Sequence, residues 1–211
     1  IKLEKNKLKG KKVLVIGGAS REMIDDVRVI SNISSGETAL ELALAARRQG
    51  AETELWHASM AVSIPDFLKS RKFTSVTDLI EMISEETSYD IVIVPAALSD
   101  YAPKRQEGKI SSDEEEITIK LQKLPKVLPR LRKSAKFLAG FKAESTGDLI
   151  KKAEARMNEY SLDMIVANNI HDVSEKETKS VIIFKDKRET FKGSKAELAE
   201  KIIEGIAEHM E

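Results

Sequence analysis

Three uninterrupted apolar runs constrain this fold most: Val13-Leu14-Val15-Ile16, Ile91-Val92-Ile93-Val94 and Met164-Ile165-Val166-Ala167. A strand with one face in water alternates apolar and polar residues, whereas a strand covered on both faces does not. Each run therefore reads as a buried strand of a mostly parallel sheet. Between the first two, Glu37 to Gln49 is rich in Ala and Leu and stops at Gly50, as a helix does. Glu52 to Trp56 alternates and reads as the second strand. Ser63 to Lys72, with Pro65, reads as a loop or short helical turn. Val76 to Glu86 carries Val76, Leu79, Ile80, Met82 and Ile83 at helical spacing. This β-α-β-α-β order predicts a Rossmann-like, three-layer, doubly wound α/β sheet with right-handed crossovers.

Further along, Ile117 to Leu121 alternates as a strand, and Pro125 to Leu131 reads as a short helix with proline at its start. Phe137 to Phe141 reads as a strand whose end carries Lys142 and Glu144. Leu149 to Tyr160 is helical, with Asp148 near its N-terminus. The third apolar run ends in Asn168-Asn169. Val181–Phe184 and Glu189–Lys192 flank Lys185-Asp186-Lys187-Arg188 as a late antiparallel hairpin. Ser194 and Glu197 have capping-box spacing, opening a last helix to His209. At 211 residues the chain reads as one domain over 13–211, with lysine-rich residues 1–12 as a linker or cut point.

Composition excludes several classes. Lys and Arg total 35, Asp and Glu total 35, and the basic residues are spread along the chain. A dedicated nucleic-acid binder would show a basic face. Without cysteine there is no disulfide, thiolate nucleophile or zinc–thiolate site. His57, His171 and His209 are too scattered to form a ligand motif. No apolar run is long enough to span a bilayer, and no segment reads as a signal peptide, so a cytoplasmic address is expected.

The segment after the first run is the main functional candidate. Gly17 to Gly36 is about twenty residues long, where a β–α connection usually takes about two to six. It holds Arg21, Asp25, Asp26, Arg28, Asn32 and Ser34-Ser35-Gly36, interleaved with Met23, Ile24, Val27, Val29 and Ile30, which suggests that it packs down on the domain. Gly17-Gly18 lets backbone approach a ligand, and Ser34-Ser35-Gly36 at a helix start suits an anion. A purely structural reading has Ser35 capping the helix and Arg21 and Arg28 pairing with Asp25 and Asp26. A second candidate, Ala96-Ala97-Leu98-Ser99-Asp100-Tyr101, follows the second apolar run, where open α/β sheets bind ligands. Ala96 and Ala97 leave room for a ring or ribose. Asp100 suits a metal or hydroxyl, or simply caps the next segment. Polar Pro103 to Glu116, holding Lys109, reads as a mobile flap.

The string from Gly17 to Gly36 resembles the signature loop of phosphopantothenate–cysteine ligase, close to G-G-T-R-E-x-I-D-x-V-R-x-I-S-N-x-S-S-G. Ala96 to Tyr101, Gly140-Phe141-Lys142-Ala143-Glu144 and Asp163 to Asn168 match further family stretches in order, so the resemblance covers nearly the whole chain from Leu8. It implies that 4'-phosphopantothenate and L-cysteine are joined in coenzyme A biosynthesis. The carboxylate attacks the α-phosphate of CTP, releasing pyrophosphate, and cysteine then displaces CMP from the acyl nucleotide. Bacterial and archaeal bifunctional members typically use CTP and eukaryotic members ATP. Mg2+, a homodimer (through the late hairpin around Val181 to Lys192) and a flavin-dependent decarboxylase domain as fused or separate partner are also implied.

By the same resemblance, Asn32 and Lys109 are the catalytic residues. Gly17, Gly18, Ser34, Ser35, Gly36, Ala96, Ala97, Asp100, Lys109, Pro125, Lys126, Val127, Phe141 and Arg156 bind nucleotide. Arg28, Asn32 and Ala97 bind substrate, and Asp100 holds the metal. Three positions depart from the family pattern. Lys109-Ile110-Ser111-Ser112 lacks the lysines that follow in a Lys-x-Lys-Lys flap. Leu124-Pro125-Lys126-Val127 replaces an Asn-Pro-Asp-Ile-like segment beside the base. Arg156 and Tyr160 fall near two family lysines. Two rivals stand beside this reading. A dinucleotide-binding module has the Gly-Gly turn but lacks G-x-G-x-x-G, and Glu54 is poorly placed as its ribose acid. A non-catalytic nucleotide-binding or regulatory module would share the fold.

Overall fold

A computed structural model of the chain describes residues 6–85, 88–113, 115–144, 148–173 and 177–210. In chain order it contains β1 (Lys12–Gly17), β2 (Arg21–Met23), β3 (Val29–Ser31), α1 (Glu37–Arg48), β4 (Glu52–His57), β5 (Lys69–Lys72), α2 (Val76–Glu85), β6 (Tyr89–Val94), β7 (Tyr101–Pro103) and β8 (Leu121–Lys123). Then come α3 (Leu128–Leu131), β9 (Ala135–Glu144), α4 (Leu149–Glu159), β10 (Met164–Val173), β11 (Thr178–Phe184), β12 (Arg188–Gly193) and α5 (Lys195–His209).

The central sheet has the order β12-β11-β10-β9-β6-β1-β4-β5. It is parallel from β5 through β10 and antiparallel from β10 through β12. The mostly parallel α/β sheet with a late antiparallel hairpin is therefore the fold. The three apolar runs are buried on both faces because helices cover both. Val13, Val15, Ile91, Ile93, Met164 and Val166 pack with α1 and α5. Leu14, Ile16, Val92, Val94, Ile165 and Ala167 pack with α2, α3 and α4. Each fully buried aliphatic side chain contributes roughly 1.5–3 kcal/mol relative to exposure. The hairpin forms as expected, and at α5 the Ser194 hydroxyl accepts from Glu197 N (3.2 Å) while Glu197 Oε2 accepts from Ser194 N (2.8 Å).

Several elements differ from expectation. Lys69–Lys72 is not loop but β5, an edge strand with no apolar residue to betray it; charged edges discourage further pairing. Ile117 to Leu121 is not a strand: 117–120 carry no regular structure, and Leu121 opens β8, paired with β7. α3 starts at Leu128 rather than Pro125, with Pro129 in its first turn. The long segment after β1 folds as a small hairpin, β2 against β3. Its apolar residues do not all pack down, since Ile24 is buried but Val27 and Val29 are exposed. Residues 1–5 of the stretch read as a linker lie outside the described residues. From Leu8 that stretch enters the domain: Leu8 is fully buried and its N–H donates to Gln49 O (3.0 Å). Among the described residues, no helix is long and apolar enough to cross a membrane.

Candidate active site

The turn off β1 is laid between the ends of two neighbouring strands. Ala19 N donates to Ser59 O (2.9 Å) and Ser59 N returns a bond to Ala19 O (3.1 Å), past the end of β4. On the other side Ala97 N donates to Gly18 O (2.9 Å) and Ser20 N to Ala97 O (3.3 Å), past the end of β6. Gly18 sits at φ 78°, and a Cβ there would stand 2.6 Å from Ser59 O, so only glycine fits this path. Ser20 is fully buried, and its hydroxyl accepts from Ser99 N (3.0 Å). The segment is thus a rigid floor, stitched to both neighbours.

Asn32, just beyond β3, reaches back over this floor and donates its side-chain N–H to Ala97 O (3.2 Å). From there the chain enters α1 through Gly36, the N-cap, at φ 75°. Gly36 supplies no side-chain cap. Ser34 Oγ accepts from Gly36 N (3.3 Å) and Ser35 Oγ from Glu37 N (3.4 Å). A helix start capped so weakly leaves N–H groups and the positive end of the helix dipole available to an anion.

Beside Asn32 and Ala97 opens a cavity of about 410 Å³, at the carboxyl ends of β6, β9 and β10. Its wall brings together Asn32, Ala96, Ala97, Asp100, Pro125, Lys126, Val127, Phe141 and Arg156, nine of the residues picked from the sequence. Gly17, Gly18, Ser34, Ser35 and Gly36 form the adjoining floor and helix entry rather than the wall. Lys109 stands exposed in the 104–113 segment, outside the wall. Arg28 is also outside it: its guanidinium pairs with the buried Asp25 carboxylate (2.5 Å). Of the pairings expected within the loop, only Arg28 with Asp25 forms. Asp26 instead pairs with Arg105 (2.8 Å), and Arg21 donates to the Ser59 hydroxyl (2.6 Å).

The electrostatics are uneven. Asp100, exposed, accepts from Lys126 Nζ (2.5 Å), so a cation already faces the one carboxylate that the cavity wall has among the described residues. Arg156 lies over the Tyr160 ring at 5.1 Å, which makes a flat cationic shelf. Among the described residues no group of three or more His, Asp or Glu side chains converges as a metal site. A single carboxylate suits Mg2+ that arrives bound to phosphates, since Mg2+ is typically held by one or two carboxylates plus substrate oxygens.

Sequence reasoning missed Thr38, Lys142, Tyr160 and Asn168 as wall residues. Lys142 and Asn168 were visible as polar residues ending buried strands, which is the signal that should have placed them here. The Asn168 Oδ1 atom is buried with no hydrogen-bond partner. An acceptor left so is costly unless a ligand supplies a donor.

The model of the family described as the DNA/pantothenate metabolism flavoprotein C-terminal domain matches residues 8–210. The coenzyme A biosynthesis bifunctional protein CoaBC of Methanocaldococcus jannaschii is 39% identical over 208 residues, covering 95% of this chain and 51% of that protein. The chain spans about half the length of the curated relatives it matches. The crystal structure of the DNA/pantothenate metabolism flavoprotein from Streptococcus pneumoniae superposes with a TM-score of 0.85 at 26% identity, covering 95% of this chain and 100% of that one. That of the C-terminal domain of a CoaBC protein gives 0.81 at 28% identity, covering 97% and 98%.

Proposed function

The chain belongs to the family of DNA/pantothenate metabolism flavoprotein C-terminal domains, and from that membership we propose that it is a phosphopantothenate–cysteine ligase of coenzyme A biosynthesis, consuming CTP. The observation that carries the reading is Asn32 held against Ala97 at the mouth of the carboxyl-end cavity, beside the open start of α1. The name borne by the relatives, a bifunctional coenzyme A biosynthesis protein, supports it.

In this reading the nucleotide lies along the wall, its base toward Pro125, Lys126, Val127 and Phe141 and its phosphates toward Ser34, Ser35 and Gly36. The carboxylate of 4'-phosphopantothenate attacks the α-phosphorus of CTP, and the bond to the β-phosphate oxygen breaks. Lys109 offsets the charge that builds on the α-phosphate oxygens, and the α1 N–H groups do the same for the departing pyrophosphate. The amine of L-cysteine then attacks the acyl carbon; CMP leaves, the amine loses its proton, and an amide remains. Asn32, anchored through its N–H to Ala97 O, keeps its carbonyl oxygen available to orient the acyl group or the incoming amine. No side-chain nucleophile is needed, so most of the acceleration comes from positioning and charge. Mg2+ would be held by Asp100 together with the triphosphate and would supply further charge neutralisation.

Two partners extend the proposal. The half-length match and the bifunctional names of the relatives support a flavin-dependent decarboxylase domain as the other half of the activity. A homodimer is supported by the exposed apolar residues. Val27, Val29, Ile33, Tyr101, Ile117 and Leu121 lie on or beside the β2–β3 and β7–β8 hairpins. That concentration favours those hairpins over the late hairpin as the contact between copies.

Pyrophosphate release from the purified chain tests the reading, with 4'-phosphopantothenate and Mg2+ present and CTP and ATP compared. Release that requires 4'-phosphopantothenate and is faster with CTP is expected. A folded protein that binds nucleotide yet releases none would instead be the non-catalytic module.

A further inference from the structure

The two adjacent aspartates of the long segment lie outside the cavity wall and have a different task. Asp25 is fully buried. Its Oδ1 accepts from Val27 N (2.8 Å) and Arg28 N (2.6 Å), which closes its own turn. Its Oδ2 reaches 85 residues along the chain to accept from Ile110 N (3.0 Å). Asp26 bonds to the same segment. Its Oδ2 accepts from Gly108 N (3.0 Å), its Oδ1 from Arg105 Nη2 (2.8 Å), and its own N–H donates to Gly108 O (3.1 Å). Two further bonds join the strips: Gln106 N to Ile24 O (2.9 Å) and Arg28 Nη1 to Ile110 O (3.2 Å).

These bonds fall on both sides of one residue. Gly108 and Ile110 are pinned through their backbones, and Lys109 between them has its side chain exposed, with no partner among the described residues. Composition alone marks this stretch as a free flap, but its base is tied by charge-assisted bonds, which are stronger than neutral ones. The charge state is secure as well. Burial works to raise the Asp25 carboxyl, but the N–H groups of Ile110, Val27 and Arg28 and the Arg28 guanidinium outweigh it and hold it well below the usual carboxylate range. Arg105 and Gly108 N hold Asp26 low. Both remain ionised through the neutral range, so the tie does not titrate away.

We infer that Asp25 and Asp26 are positioning residues: they form a latch on the backbone at Gly108 and Ile110 that fixes where the Lys109 ammonium can swing. The inference deepens the ligase reading and rests on it for its kinetic consequence. A lysine on a free flap would spend conformational entropy each time it engaged the α-phosphate. A lysine rooted at both neighbours presents its charge from a fixed pivot, and fixed placement is where such a cation gains its effect.

Asp26, at 47% side-chain exposure, can be altered with less risk to folding than buried Asp25. Asp26→Asn keeps size and removes the charge; Asp26→Glu and Arg105→Gln serve as companions. Two readouts are taken on the full chain. In limited trypsin digestion, Asp26→Asn is expected to be cut after Lys109 roughly tenfold faster than wild type, since losing a charged acceptor raises the open population. Circular dichroism and thermal midpoint should stay near wild type. In pyrophosphate release, Asp26→Asn should slow turnover at saturating nucleotide about tenfold while KM for nucleotide moves less than about twofold. Asp26→Glu should recover part of the loss. In a Lys109→Gln background, Asp26→Asn should cost nothing further, because a positioning residue has nothing left to position.

Wild-type protease resistance in Asp26→Asn and Arg105→Gln, or a loss that simply adds to that of Lys109→Gln, overturns the latch. If the wild-type chain releases no pyrophosphate, the ligase reading fails on its own. The digestion then still decides the latch, upheld by faster cutting in Asp26→Asn and overturned by equal cutting.

Discussion

The carboxyl edge of the parallel strands and the late hairpin with α5 are both polar surfaces on one sheet, and both carry ion pairs, Lys126 with Asp100 among those at the edge, yet they differ in what is left unsatisfied. Around the hairpin, charges are matched to each other. Lys187 pairs with Glu189 and Glu208, Lys201 with Glu189, and His209 with Asp186 while its ring stacks on Phe184 at 4.2 Å. The helix start there is closed by the Ser194–Glu197 capping box. At the carboxyl edge the helix start is left without such a box, Lys109 has no partner among the described residues, and the Asn168 oxygen is buried unsatisfied. Groups that satisfy one another hold a fold. Groups left unsatisfied on a rigid floor are available to a ligand, and natural proteins break their own local rules mostly at such places.

That contrast predicts a separation of effects: hairpin and α5 substitutions lower stability and spare turnover, and edge substitutions do the reverse. The largest effect is expected from Ile202→Ala in α5, whose side chain is fully buried. It should lose about 3 to 4 kcal/mol in denaturant unfolding, with turnover per folded molecule unchanged. Lys109→Gln should slow pyrophosphate release about a hundredfold, close to 2.7 kcal/mol, with an unfolding midpoint like wild type. Ser194→Ala should cost about 1 kcal/mol, lowering the midpoint by roughly 2–4 °C for a chain of this size, again without kinetic consequence.

The smallest effect is a pH dependence. Asp186 beside it raises the His209 pKa, more than burial lowers it, and His209 in turn lowers that of Asp186. A raised histidine pKa adds stability that is full below its unfolded value, about 6.5, and is lost as pH rises through the folded value. A lowered aspartate pKa adds stability present above its unfolded value, about 3.9, and lost toward acid. The stability gap between wild type and His209→Gln should therefore be widest near about pH 5 to 6 and narrow above neutrality. A gap that widens with rising pH would contradict the pairing.

The sequence made the buried parts of this plan legible. Three apolar runs announced strands covered on both faces, and Ser194 with Glu197 announced a closed helix start. The long segment after β1 announced itself by length. What stayed hidden depends on partners far along the chain. Lys69 to Lys72 has no apolar signature because an edge strand needs none. Ile117 to Leu121 alternates, but its alternation finds no sheet to join. Nothing near Asp26 foretells that Arg105 rather than Arg21 will be its partner, because that choice is made by how two loops meet. Thr38 reaches the cavity wall from α1 and Tyr160 from the C-cap of α4, and the local sequence there says only that helices run through it.

The most direct test is to identify what forms in the cavity before cysteine arrives. The protein is mixed with CTP, 4'-phosphopantothenate and Mg2+ without cysteine, quenched in acid, and its small molecules are weighed by mass spectrometry. The expected result is a species with the mass of 4'-phosphopantothenate plus CMP less one water, which disappears when cysteine is added before the quench. Unreacted CTP and 4'-phosphopantothenate alone, from protein shown to be folded, would contradict the claim that the carboxyl-edge cavity is the site of acyl-nucleotide chemistry.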